Sequence, residues 1–234
     1  MCDEYSLESL SEAVHYNAFV YSLMRPYLGE SVLELGAGIG NQTPFLLEDG
    51  RHVLAIDIDE RLVNVHRQRV MARPNLRTAS VSIQHLAEDL RLANTFDSVV
   101  SSNVLEHIPD GLDREVVAAM RGLLKKGGYS IHWVPACESI YGSLDESFKH
   151  VRRYTKASAE ALFVRAGFEI VSCEFWNMLG FVGWWFSGRV LRIRSISKAT
   201  ALIFDRFVMP AVSVIEPLIP RPFGQSLLIV GKKQ

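Results

Sequence analysis

The chain has 234 residues and a formal net charge of −1 at pH 7, and 48% of its residues are hydrophobic. This length suits one α/β domain with elaborations, and the hydrophobic content predicts a full core and excludes a disordered chain. The balanced charge creates no overall field that would draw the protein to nucleic acid, so no nucleic-acid partner is expected.

The cysteines and the first residues of the chain indicate the cellular compartment of the protein. Cys2, Cys137 and Cys173 are scattered and odd in number, which favours a reducing compartment without a disulfide framework. The acidic start Met-Cys-Asp-Glu has no apolar core and does not read as a signal peptide. The longest charge-free stretch, residues 175–188, has 14 residues, fewer than the roughly 18 that span a bilayer. We therefore expect a cytoplasmic protein.

Strand-like runs alternate with helix-like segments over residues 31–175, which predicts βαβ units and a mostly parallel sheet. Residues 1–30 read as two helices before the first strand. Residues 176–225 form a connection too long for a plain loop and should carry structure of their own. The predicted strands are Ser31–Leu35, His52–Asp57, Ser80–His85, Asp97–Ser101, Tyr129–Val134, Phe168–Phe175 and Ser226–Gly231. The predicted helices run from near Thr43 to before Gly50, from about Glu60 to Ala72 and from about Asp113 to Leu124.

The first strand breaks into a loop with three alternate glycines, Gly36, Gly38 and Gly40. In a doubly wound sheet, a nucleotide pocket forms where a buried strand is followed by a glycine turn and a helix. The dinucleotide fingerprint G-x-G-x-x-G needs its third glycine at position 41, where Asn41 stands. Since Glu34 precedes the loop, the pattern favours a ligand with an ammonium or sulfonium charge over a pyrophosphate, and so S-adenosylmethionine over NAD.

Carboxylates also follow the second and third predicted strands. Asp57 is the last residue of the second strand, 21 residues after Gly36. An acidic residue at about this distance from the loop usually accepts hydrogen bonds from ribose hydroxyls. The alternative is a helix N-cap, because Asp59 and Glu60 also lie near a helix start. Glu88 and Asp89 follow the third strand and either accept from an adenine amino group or form a solvated loop.

Four stretches carry a resemblance to the class I S-adenosylmethionine-dependent methyltransferases: ELGAGIGNQT at 34–43, AIDID at 55–59, FDSVVSSNVLEHI at 96–108 and LLKKGGYSIHWVP at 123–135. Segments 150–155, 166–168 and 222–227 resemble a bacterial small-molecule or glycan-type subgroup. The resemblance implies a Rossmann-like α/β fold with seven strands in the order 3-2-1-4-5-7-6, the last of them antiparallel. It implies a methyl-transfer enzyme with S-adenosyl-L-methionine as cofactor.

The resemblance also implies roles for individual residues. The methionine part of the cofactor would meet the loop, the ribose and adenine would meet the ends of the second and third strands, and the sulfonium would lie at the end of the fourth. The implied cofactor residues are Tyr16, Asn17, Glu34, Gly36, Ala37, Gly38, Asp57, Ile58, Asp89, Leu90 and Asn103.

The catalytic candidates are His107 and His150. His107 is either a base at the mouth of the crevice or a structural residue of the turn before Pro109. His150 has two arginines close by in sequence, which would lower its pKa and keep it neutral, as suits a base; the alternative is a solvated basic turn. No Asp, Glu and His grouping has metal-ligand spacing, so metal-independent transfer is expected.

The acceptor site is expected around residues 150–154 and in the acid-free segment 175–204. Arg152 and Arg153 would clamp an acidic group, with Tyr154 and Trp184 beside the acceptor. Residues 175–204 hold four cations and five Trp or Phe side chains between Trp176 and Phe186. Three interpretations stay open: a helical cap packed on the sheet, an apolar lid over a hydrophobic acceptor, or a basic surface in peripheral contact with a membrane.

The leading hypothesis is methyl transfer to a small-molecule acceptor or a glycan- or lipid-linked one, with oxygen favoured over nitrogen because candidate bases are present. Two alternatives are an NAD-dependent oxidoreductase and a cofactor-binding scaffold without catalysis. Asn41 argues against the first, and the intact motifs argue against the second.

Overall fold

The computed structural model of the protein describes residues 12–234. Of the two helices expected in residues 1–30, one is present at Val14–Met24. The part of that prediction that falls on residues 1–11 lies outside the described residues.

The centre of the structure is a seven-stranded sheet in the order β3-β2-β1-β4-β5-β7-β6. β1 to β5 pair in parallel, whereas β7 runs antiparallel to both β5 and β6. The order and the reversed last strand confirm the fold that the resemblance implied. The strands are β1 Ser31–Leu35, β2 His52–Asp57, β3 Leu76–Ser80, β4 Phe96–Ser102, β5 Leu124–Pro135, β6 Phe168–Trp176 and β7 Ser226–Lys233.

Helices cover both faces of the sheet and fill the long connection between β6 and β7. Val32 and Leu33 are neighbours in β1 that point to opposite faces, and each joins a separate buried hydrophobic cluster. Both faces of the sheet are therefore core, as in other parallel sheets. The α-helices are α1 Val14–Met24, α2 Thr43–Glu48, α3 Glu60–Arg69, α4 Ile83–Ala87, α5 Leu112–Leu123, α6 Ser143–Ser147, α7 Lys156–Arg165, α8 Met178–Trp185, α9 Lys198–Ile203 and α10 Met209–Ile215.

The prediction of a strand at Ser80–His85 is wrong. β3 ends at Ser80, and the hydroxyl of Ser82 accepts from the backbone N–H of His85 and caps α4. The apolar residues after Ser80 were too few to tell a strand from a helix, and β3 itself is a half-exposed edge strand with the polar sequence Leu-Arg-Thr-Ala-Ser.

Two buried carboxylates tie the 176–225 connection to the rest of the protein. Asp205 accepts from the backbone N–H groups of His15 and Tyr16 at 3.2 and 2.7 Å, at the start of α1. Glu216 accepts from the N–H groups of Asn177 and Met178, both at 2.6 Å, at the start of α8. Since the first N–H groups of a helix have no partner within it, each carboxylate stabilises a helix end. Within residues 12–234, no helix has the length and apolar character needed to cross a membrane.

Candidate active site

The glycine loop lies at the carboxyl end of the parallel strands. The N–H of Ala37 donates to the carbonyl of Ile56 at 2.9 Å, and that of Gly38 donates to Oδ2 of Asp57 at 2.9 Å. Gly36 has φ of 65°, and a Cβ there would lie 2.5 Å from Cγ2 of Val104, which follows β4. A side chain at position 36 therefore has neither the conformation nor the space that it needs. These contacts bring the ends of β1, β2 and β4 together.

Asp57 is at the end of β2 as predicted, and the structure decides against its role as a helix cap. The side chain of Asp59 caps α3 and accepts from the N–H of Arg61, while Oδ1 of Asp57 accepts from the N–H of Asp59 at 2.9 Å. Burial raises the pKa of Asp57. Each of its oxygens accepts one backbone N–H and keeps a second lone pair, which suits a ligand hydroxyl.

Glu34 is a buried carboxyl that forms no salt bridge with any residue in the described part of the chain. It is 4% exposed, and its Oε2 accepts from the hydroxyl of Thr43 at 2.6 Å. That hydroxyl lies 2.8 Å from Nε2 of His66. Burial raises the pKa of Glu34 to about 8. The carboxyl is therefore mostly neutral at pH 7 and would ionise if a cationic ligand came against it.

Helix α1 brings two predicted cofactor residues to this crevice. Nε1 of Trp133 donates to the Tyr16 hydroxyl at 2.8 Å. Burial raises the pKa of that hydroxyl, and the side chain of Asn103 acts against the shift. Asn103 has φ of 54°, in the left-handed region, directly after β4. Nε2 of Gln42 donates to Oδ1 of Asn17 at 3.1 Å, which joins α1 to the glycine loop.

On the side expected for adenine, two apolar side chains stand open to solvent. Ile58 is 76% exposed and Leu90 is 84% exposed. Asp89 is paired with the guanidinium of Arg91 at 2.7 Å and also accepts from its N–H, and these bonds lower the pKa of Asp89 to about 2. The Asp89 carboxylate, which was expected to accept from an adenine amino group, therefore already pairs with the exposed side chain of Arg91.

Three chemically active groups meet beyond β4. Glu106 and His107 lie in the short turn Leu105–His107, and ligand atoms of these two residues and of His150 all lie within 4.8 Å of one another. The imidazole rings of the two histidines have centroids 5.1 Å apart. Burial lowers the pKa of His107 to about 4. The sequence spacing hid this grouping, because His150 follows Glu106 by 44 residues.

The carboxyl group of Glu106 is buried beside the two histidines. It is 0% exposed, and neither carboxylate oxygen has a hydrogen-bond partner among the residues that the structure describes. Burial raises its pKa to about 7. Nε2 of His150 is 3.9 Å from Oε1, beyond hydrogen-bond distance.

Asp145 orients the residues around this cluster. Its Oδ1 accepts from Nδ1 of His150 at 2.9 Å and from Nε of Arg153 at 2.8 Å, and its Oδ2 accepts from Nε1 of Trp184 at 3.0 Å. The sequence placed two arginines beside His150, whereas in the structure its imidazole faces carboxyl groups, with Nδ1 2.9 Å from Asp145 and Nε2 3.9 Å from Glu106.

The three candidate acceptor residues near His150 in sequence bond mainly to protein groups. Arg152 pairs with Asp110 at 2.7 Å and Asp113 at 2.6 Å. Arg153 is 4% exposed and donates to the carbonyl of Ala136 as well as to Asp145. Tyr154 is 3% exposed and its hydroxyl donates to the carbonyl of Leu105. Most polar atoms of these three side chains therefore bond protein groups, although Nε of Arg152 is buried without a partner among the described residues. Contact of Arg152, Arg153 and Tyr154 with substrate stays a prediction.

The acid-free segment is partly packed and partly exposed. Trp176 is buried under the guanidinium of Arg221, whose Cζ is 3.8 Å from the ring centroid. Trp184 lies beside the cluster, 5.9 Å from the ring of Phe148. By contrast, Trp185 and Phe186 are 44% and 48% exposed. The segment thus combines a cap over the sheet edge with an apolar surface open to solvent.

Two functional residues were missed from the sequence. Glu106 stood inside a recognised stretch but had no assigned role, and Asp145 carried no signal at all. Their importance comes from burial and from contacts between distant parts of the chain, neither of which a local pattern reports.

Comparisons with known proteins point to one family. Residues 33–130 match a family model described as a methyltransferase domain. Phosphoethanolamine N-methyltransferase 1 of Zea mays is 32% identical over 60% of this chain and 29% of its own length. Ubiquinone biosynthesis O-methyltransferase of Albidiferax ferrireducens is 31% identical over 44% of this chain and 40% of its own length. The chain therefore spans less than half the length of these curated relatives.

Solved structures share the fold at low sequence identity. A SAM dependent methyltransferase from Archaeoglobus fulgidus superposes with a TM-score of 0.62 at 18% identity, over 93% of this chain and 94% of its own. An S-adenosylmethionine dependent methyltransferase from Mesorhizobium loti gives a TM-score of 0.59 at 16% identity, over 94% and 98%. These likenesses extend the agreement in fold to almost the whole chain.

Proposed function

We propose that the chain is a class I S-adenosylmethionine-dependent methyltransferase, as the methyltransferase-domain match over residues 33–130 supports, and that it transfers the methyl group of S-adenosylmethionine to a small-molecule acceptor or to a glycan- or lipid-linked one. The observation that carries the proposal is the meeting of a glycine loop, the buried carboxyls of Glu34 and Asp57, and the side chains of Tyr16 and Asn103 at the carboxyl ends of the parallel strands.

The residues at this edge fit each part of the cofactor. Asp57 has lone pairs for the ribose hydroxyls, and the exposed Ile58 and Leu90 offer apolar surface for adenine. Glu34 is a buried carboxyl without a salt bridge among the described residues, which suits the ammonium of the methionine part. A bound cofactor supplies an activated methyl carbon, so the protein's task is to hold the acceptor atom in line with the carbon–sulfur bond.

The acceptor side would be the cluster of Glu106, His107 and His150, of which Glu106 and His107 lie in the turn that follows Asn103. An oxygen acceptor loses a proton as it is methylated, whereas an amine has only to arrive unprotonated. A cluster of two imidazoles and a carboxylate suits the first case, so we favour O-methylation. Trp184, beside His150, would border the acceptor. The names of the relatives include both an O- and an N-methyltransferase.

Contact with a membrane through residues 175–204 is a second element of the proposal. Trp185, Phe186 and Leu191 are all more than two-fifths exposed, next to the cations Arg189, Arg192 and Arg194. An apolar surface with basic residues and no acids suits the interface of an anionic bilayer, where a lipid-linked acceptor would be found.

The test is transfer of a labelled methyl group to a panel of hydroxyl and amine acceptors. Asp57→Asn should raise the KM for S-adenosylmethionine, because the neutral amide is a weaker acceptor for two hydroxyls. Asp59→Asn is the matched control, since Asp59 caps α3 instead. Cofactor binding without turnover on any acceptor would favour the catalytically inactive scaffold, and binding of NAD in place of S-adenosylmethionine would favour the oxidoreductase.

A further inference from the structure

We propose that Glu106, His107 and His150 form a binding site for a divalent first-row transition-metal ion, open on one side to the acceptor. The three side chains bring one carboxylate and two imidazoles within 4.8 Å of one another. The inference rests on the proposed function for its catalytic role, although the site itself is defined by these contacts alone.

The first argument is the unmatched carboxylate. Glu106 is fully buried, and the residues that the structure describes leave both of its oxygens without a hydrogen bond. A buried carboxylate without partners is strongly disfavoured. Its Oε1 faces Nε2 of His150 at 3.9 Å, too far for a hydrogen bond. Two ligands of one ion lie about 3–4 Å apart when each bond is about 2.0–2.2 Å long, so this separation suits an ion between them.

The second argument is the orientation of the two imidazoles. Nδ1 of His150 donates to Asp145 at 2.9 Å, and Nδ1 of His107 donates to the backbone carbonyl of Lys149 at 3.3 Å. Each ring therefore keeps the lone pair of Nε2 free. Metal-binding histidines almost always donate their other ring nitrogen to a carboxylate or a carbonyl, which fixes both tautomer and direction. Lys149 takes a φ of 60° to present that carbonyl.

The set of ligands indicates the kind of ion. Imidazole suits Zn²⁺, Fe²⁺ and related ions, whereas Mg²⁺ and Ca²⁺ prefer sites made of oxygen alone. Three protein ligands leave at least one position open. Both histidines are only partly buried, so the ion can be reached from solvent.

The open position has a clear use in methyl transfer. A hydroxyl bound to the ion has a lowered pKa and gives its proton to solvent water. The resulting oxygen anion attacks the methyl carbon and forms the O–C bond, while the S–C bond breaks and its electron pair stays on sulfur as a thioether. In this arrangement His107 and His150 act as ligands, and the ion takes over the work of a base.

Binding of Co²⁺ to the full chain tests the site without an activity assay. We would remove metals with a chelator, titrate Co²⁺ and follow its visible d–d absorption, with Zn²⁺ as competitor. The expected result is one Co²⁺ per chain, displaced by Zn²⁺. Glu106→Gln and His150→Gln should each weaken binding by about 100-fold, at least as much as loss of an outer-shell partner. His85→Gln is the control, because His85 pairs with Glu88 at 3.0 Å on the surface and should leave binding unchanged.

Two results would overturn the proposal: no d–d absorption at millimolar Co²⁺, or equal affinity in the wild type and in Glu106→Gln. Circular dichroism and S-adenosylmethionine binding on the same samples confirm that each variant is folded. The two proposals also fail separately. Co²⁺ binding without S-adenosylmethionine binding refutes the proposed function and leaves the site standing, whereas the reverse refutes the metal site alone.

Discussion

Glu34 makes the affinity for a cationic cofactor depend on pH. Its pKa is about 8 in the free protein because it is buried, so about nine-tenths of the molecules hold it protonated at pH 7. A ligand ammonium beside the carboxyl favours the ionised form, and binding must therefore remove this proton. The free-energy cost of ionising the group therefore rises as the pH falls below the pKa.

The affinity for S-adenosylmethionine should therefore rise about tenfold between pH 6 and pH 7 and flatten as the pH approaches 8. At pH 7 each binding event should release most of one proton. Calorimetry in two buffers of different ionisation enthalpy measures this number directly. Glu34→Gln keeps the bond to Thr43 and cannot ionise, so it should bind more weakly, release almost no proton and lose most of the pH dependence. Equal proton release by the wild type and by this variant would refute the reasoning.

Three further outcomes follow from the contacts. Gly36→Ala should abolish cofactor binding, because its Cβ would lie 2.5 Å from Val104 and because φ is 65° at this position. Gly50→Ala is the control, since position 50 has open space at a similar φ of 75°. Calorimetry compares cofactor binding by the two variants. Asp205→Ala removes the hydrogen-bond acceptor at the start of α1. It should lower the free energy of unfolding by about 1–2 kcal/mol, which corresponds to a fall of roughly 2–8 °C in Tm, and should weaken cofactor binding through Tyr16. An unchanged Tm would contradict this role. In flotation with anionic liposomes, the protein should bind the liposomes at low salt and dissociate at high salt. Trp185→Ser should reduce the bound fraction. No binding at low salt removes the membrane interface from the proposal.

The sequence was sufficient for those parts of the fold whose signals are local. β1 and β2 were predicted to the residue, because each is a short apolar run with a clear stop. The edge strand β3 was missed because it is half-exposed and polar, and the apolar residues after it belong to α4. The candidate cofactor residues carry local signals of the same kind, since Glu34, Asp57 and Asn103 lie at or next to the ends of buried strands.

The acceptor side depends on contacts between distant residues. Arg152 and Arg153 looked like a free basic pair, but their partners Asp113 and Asp145 lie 39 and 8 residues away and are chosen by the fold. The grouping of Glu106 with His150 likewise forms only when the residues after β5 return to the end of β4. Ligand sets of this kind have no spacing rule that a single sequence reveals.

Calorimetric titration of the full chain with S-adenosylmethionine, beside a titration with NAD, tests the central claim most directly. The account predicts saturable binding of S-adenosylmethionine with one site per chain, weakened by Asp57→Asn, and no binding of NAD. Absence of S-adenosylmethionine binding at millimolar ligand would contradict the account, as would saturable binding of NAD at the same site.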